Sequence, residues 1–189
     1  MKPSVSMTIL AATLSLGFTL SLSARQIQSR DHLTPQETEL VKDAQILDQR
    51  IEVFIKAADR RLLALNGVTV AAKQSKKDAE KWGEQPTGTR AEMIHDIAKI
   101  LDEAITNIDD VSSRDERNPL VPKALRKLAT EATRIVDELK PLQSPAKSEA
   151  ELGTFEQLME SAESIIQAAH ELPPPTEKDG KGKSDKPKN

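Results

Sequence analysis

The chain has 189 residues, of which 37% are hydrophobic, 30% charged and 2% aromatic, with 7 Gly and no Cys or Tyr. Without cysteine there are no disulfides, thiolate metal sites or cysteine nucleophiles. So few aromatics argue against a β-sandwich or barrel. A formal charge of −3, evenly mixed in sign along the chain, does not suit a nucleic-acid binder.

The first element is a targeting signal. Met1 and Lys2 give a short positive start, and residues 3–24 are uncharged and mostly apolar. Ser21 and Ser23 occupy the −3 and −1 positions for cleavage between Ser23 and Ala24, so residues 1–23 are expected to be a secretory signal peptide. The chain is then exported, to a periplasm or the cell exterior; the alternative is an uncleaved N-terminal membrane anchor. No later run is apolar enough to span a membrane. Residues 24–33 are expected to form a flexible lead-in.

Four segments carry the helical period. The first opens at Thr34-Pro35-Gln36-Glu37, a capping box with proline at the first helical position. Its apolar stripe of Leu40, Ala44, Leu47, Ile51, Phe54, Ala58, Leu62 and Leu65 predicts a single helix over 34–65. Such a helix is about 48 Å long and overhangs the others, exposing Leu62, Leu63 and Leu65. A second capping box, Thr89 to Glu92, opens a helix over 89–110 with Ile94, Ile97, Leu101, Ala104 and Ile108 on one face. The third runs over 120–140 from the Pro119/Pro122 pair to Pro141. The fourth runs over 148–172, burying Leu152, Phe155, Leu158, Ala162, Ile165 and Leu172. A thin stripe over 70–82, ending at Trp82, gives a weak extra helix. Short connections predict an all-α, up-down antiparallel four-helix bundle over 34–172, with coiled-coil-like packing. An echo at an offset of 54, Ala44–Ile51 against Ala98–Ile105, reads as repeated Leu/Ile grammar rather than duplication.

Residues 173–189 contain no hydrophobic residue and five Lys against three acids, which predicts a disordered Lys/Pro-rich tail. Its +2 charge offers weak contact to anionic surfaces. The segment between signal and tail carries −6.

No catalytic constellation emerges. Glu92 and His95 have the spacing of one half of a di-iron motif, but the second Glu-x-x-His is missing and Glu92 is already accounted for as a cap. His32 falls in the lead-in and His170 at the last helix end, so no metal site is expected. Met93 and Met159 are conceivable haem ligands but fit core packing better. The acidic stretch Asp109–Arg117 lacks the spacing and Gly of a calcium loop and reads as a solvated connection. No carboxylate falls on an apolar stripe. Glu52–Lys56 and Lys127–Glu131 read as surface i,i+4 pairs. Trp82 is expected to pin its segment to the bundle.

The opening Leu33-Thr34-Pro35-Gln36-Glu37 resembles the LTxxQ motif of the small periplasmic stress proteins, with the glutamine one place early and no second copy of the motif. That resemblance implies an exported all-α chaperone or stress adaptor. The residues themselves point to an exported non-enzymatic helical protein, without cofactor, acting by contact with an unidentified protein or with itself. A small-ligand or haem carrier is the weaker alternative.

Overall fold

The structure, a computed structural model, describes residues 31–68, 76–143 and 149–174. The predicted signal peptide with its Ser23/Ala24 cleavage site, lead-in residues 24–30 and tail residues 175–189 lie outside the described residues. From Asp31 onward the chain forms one unit of helices: α1 (Pro35–Asp43), α2 (Leu47–Leu65), α3 (Lys76–Trp82), α4 (Arg90–Arg114), α5 (Leu120–Gln143) and α6 (Glu149–His170). No strand occurs among the described residues. The all-α bundle expected from the helical period is therefore what the chain builds.

Both capping boxes form as the sequence predicts. Thr34 Oγ1 accepts from the Glu37 N–H while the Glu37 carboxylate accepts from the Thr34 N–H, and Thr89 and Glu92 do the same at α4. Each reciprocal pair satisfies two donors that a helix start leaves free.

The stripes pack as one core. Ile51, Phe54 and Ala58 of α2 meet Ile94, Ile97, Leu101 and Ile108 of α4, Leu128, Ala132 and Ile135 of α5, and Phe155, Leu158 and Ile165 of α6. Helix direction alternates along the chain through α2, α4, α5 and α6. Asp48–Lys123, Glu52–Lys127 and Asp59–Arg134 all join α2 to α5 at the constant separation of 75 residues, so these two run parallel. Arg50–Asn107 and Arg61–Asp96 join α2 to α4 in the opposite sense. Helices α4 and α5 each pack on both α2 and α6, which lie on opposite sides of that central pair.

The single helix predicted over 34–65 is instead two. The chain leaves helical geometry at Ala44 and re-enters after Ile46, whose φ of −92° and ψ of 131° are extended. Gln45 Nε2 donates to the Lys42 carbonyl and Arg50 Nε to the Ala44 carbonyl, which satisfies acceptors freed by the break. The cause lies further along the chain: Arg60 and Arg61 are buried in α2 and need a carboxylate, and only by folding α1 back does Glu37 reach them. Consequently α2 is about 28 Å long rather than 48 Å, Leu62 is buried, and Leu63 and Leu65 are half-buried. The overhang is not formed.

Other boundaries move for local reasons. Asp109 to Arg114, read as the start of a connection, extends α4. Val111 packs against the core, and Arg114 pairs with Asp110 at 2.8 Å. Helix α5 runs through Pro141 to Gln143, because proline in a last turn costs one hydrogen bond while Leu142 still packs on the core. Leu152 is 45% exposed rather than buried, since it lies in the first turn of α6 and faces away from the core. The echo at offset 54 has no structural counterpart: Ala44–Ile51 contains the bend, and Ala98–Ile105 is continuous α4.

Candidate functional site

The most unusual feature of the core is charged. Glu37, Arg60, Arg61 and Asp96 are all at most 2% exposed. Their formal charges cancel, as buried ions require. Four elements supply them: Glu37 stands at the third position of α1, the arginines in the last two turns of α2, and Asp96 on α4.

Glu37 Oε1 accepts from Arg60 Nη1 at 2.7 Å and from Arg61 Nη1 at 2.8 Å. Its Oε2 lies 2.8 Å from Arg61 Nη2 and accepts from the Thr34 N–H at 2.9 Å. The same carboxylate thus closes the capping box and neutralises two guanidiniums. Arg60 Nη2 also donates to the carbonyls of Gly83 and Glu84, which follow α3. Arg61 donates to its own helix at Ala57 and, at 2.6 Å, to the His32 carbonyl ahead of α1. Asp96 Oδ2 stands 3.7 Å from Arg61 Nε. Neither Arg60 Nε nor Arg61 Nε has a hydrogen-bond acceptor. Burial lowers the Arg60 pKa, and the adjacent Glu37 carboxylate opposes that shift.

Trp82 closes the cluster on one side. It is 3% exposed, with Lys56 Nζ 4.8 Å and the Arg60 guanidinium 5.7 Å from its ring centre. Trp82 therefore pins α3 to α2, as expected, with cation–π contacts added to apolar burial. Gly83 turns the chain with φ of +67°, and its Cα side faces the Gln36 side chain so closely that a Cβ would sit 2.9 Å from it. Outside Trp82, an open groove of about 550 Å³ runs between α1, α2 and α3, with Leu40, Ala44 and Val53 beside Asp43, Glu52, Lys56 and Lys81.

Several expectations change against this geometry. His32 is not in a loose lead-in: its Nε2 lies 2.7 Å from Glu103 Oε2, and neighbouring Leu33 is 8% exposed in the core. The core contacts and the Arg61 bond hold both in place. Carboxylates do occupy buried positions, contrary to the reading of the stripes. Glu37 was legible as a cap, but its second role was not; the available signal was Arg60-Arg61 falling between Ala58 and Leu62 on a buried face. Lys127 reaches across to Glu52, and Glu131 pairs with Arg134, in place of the expected Lys127–Glu131 pair.

The remaining candidates stay apart. His95 Nδ1 is 3.1 Å from Gln157 Oε1, Met93 is buried, Met159 is half-buried, and His170 ends α6. Among the described residues no group of three His, Cys, Asp or Glu side chains is placed to hold a metal ion, and no helix is long and apolar enough to cross a membrane. Burial raises the Asp59 pKa, with Arg134 opposing the shift. No protein-family model, curated protein or solved structure matches the chain.

Proposed function

We propose that this is an exported, non-enzymatic helical protein that acts by protein–protein contact, with a second protein or with another copy of itself. The observation that carries the reading is the use made of the buried charges. Glu37 and both arginines are committed to holding α1, α2 and the segment after α3 together, an arrangement that organises a surface rather than activating a nucleophile. Export rests on the signal-like residues 1–23. Cross-linking in the intact host envelope, followed by native mass spectrometry, is expected to recover a mature chain beginning at Ala24 in a complex. A monomer that retains a small ligand and cross-links to nothing overturns the reading.

A second reading, an envelope chaperone, is favoured by the open groove beside Trp82, where apolar and charged side chains alternate. It predicts suppression of client aggregation at near-stoichiometric ratios. No effect on several unfolded clients removes it.

A further inference from the structure

The stripe Leu40, Ala44, Leu47, Ile51 keeps helical spacing across the bend between α1 and α2. That bend contains no Gly, no Pro and no residue of positive φ. No side chain caps the start of α2, and Ile46 stands 49% exposed at the hinge. Local preference at Ala44, Gln45 and Ile46 therefore does not require a break. What holds the bend is Glu37 on Arg60 and Arg61.

Glu37 and Arg60 are 23 residues apart, which is about 35 Å along a straight helix. Straightening the hinge within one copy would leave two buried guanidiniums without their carboxylate, a state that buried charge does not tolerate. A second copy removes the obstacle, because its Glu37 carries the same carboxylate on the same capping box. We propose that two copies of this chain exchange the segment 31–43. In the exchanged dimer, Ala44–Ile46 becomes helical, and each Arg60–Arg61 pair binds Glu37 of the partner subunit.

The exchange reproduces the contacts of the closed form: the carboxylate on both arginines, the His32 carbonyl on Arg61 and Leu33 in the core. It adds helical hydrogen bonds across the hinge. A reciprocal exchange is two-fold and closes on itself, giving a dimer rather than a filament. Helix α1 suits this role because Glu37 is its one buried residue. Leu40 and Val41 are only half-buried, so little apolar contact opposes release. The inference rests on the self-association form of the function proposed above.

The test uses the purified full chain, refolded at high and low concentration and separated by size with mass determination. Refolding at high concentration is expected to give a dimer that persists on dilution. Replacing the hinge by Gln45→Ala with Ile46→Ala raises helix propensity in both copies, and the dimer's equilibrium constant is expected to rise about tenfold. A mixing experiment reads the exchange directly. Glu37→Gln has arginines without a carboxylate, and Arg60→Gln/Arg61→Gln has a carboxylate without arginines. Refolded together, they rebuild one complete site per heterodimer, so a thermal transition above both parents is expected. Monomer throughout, including for the hinge variant, overturns the proposal. So does a co-refolded mixture showing only the two parental transitions. If the chain stays monomeric while a second protein cross-links to it in the envelope, exchange is wrong and the contact reading stands.

Discussion

Glu37 does two jobs with one carboxylate, and the second is invisible from its neighbours. As a cap it belongs to a local pattern, Thr34 to Glu37, that any reading of the chain finds. As the counter-ion of Arg60 and Arg61 it decides where α1 goes. Glu37→Ala removes the partner of two buried cations and is expected to cost about 3–5 kcal/mol, read as a lower urea midpoint. Thr34→Ala loses only the cap's side-chain acceptor and is expected to cost about 1 kcal/mol. The contrast separates the two roles. Asp59 offers a test in pH. Its carboxyl is raised from 3.8 by burial, so the folded state favours the protonated form more than the unfolded chain does. The stability this contributes is present below pH 3.8 and is lost as pH rises through the folded value. The advantage of the wild type over Asp59→Asn is therefore expected to shrink as pH rises through the acid range, measured by denaturant midpoints at each pH.

At the scale of elements, the helices divide by what anchors them. Helices α2, α4, α5 and α6 are held by apolar faces, whereas α1 and α3 are held by a charge and by Trp82. The Gly83 turn belongs to the second group. Gly67 and Gly83 both adopt positive φ, but a Cβ at Gly67 meets open space and one at Gly83 meets Gln36. Gly67→Ala is expected to cost about 1–2 kcal/mol for the left-handed backbone alone. Gly83→Ala must also displace Gln36 and is expected to cost more, in paired thermal melts. The ion pairs between α2 and α5 make a related point. Lys123, Lys127 and Arg134 recur at spacings that suggest pairs within α5, yet each pairs with an acid on α2. Spacing shows which side chains share a face, and the neighbouring helix decides which of them pair.

For the molecule as a whole, α1, α3 and the Arg60–Arg61 corner form a unit that can fail separately from the core. Trp82 lies in that corner, so its fluorescence reports the corner while far-ultraviolet circular dichroism reports all six helices. In Glu37→Ala the fluorescence transition is expected to precede the dichroism transition. In Leu128→Ala, a truncation of a fully buried side chain costing about 2–5 kcal/mol, the two transitions are expected to coincide.

Sequence alone determined the helical class, both capping boxes, the starts of α4, α5 and α6, and most of the core. All of these depend on residues within a turn or two of one another, where period and cap chemistry operate. It also marked Trp82 as an anchor, because a large apolar ring in a thin stripe has few other uses. Only the tertiary structure decided that the helix over 34–65 bends at Ala44–Ile46, that Glu37 serves Arg60 and Arg61, and that α2 and α5 run parallel. The reason is physical: local periodicity favours a straight helix and carries no information about a counter-ion 23 residues away. A buried guanidinium without a carboxylate costs more than three residues of helix gain, so the longer-range term sets the shape.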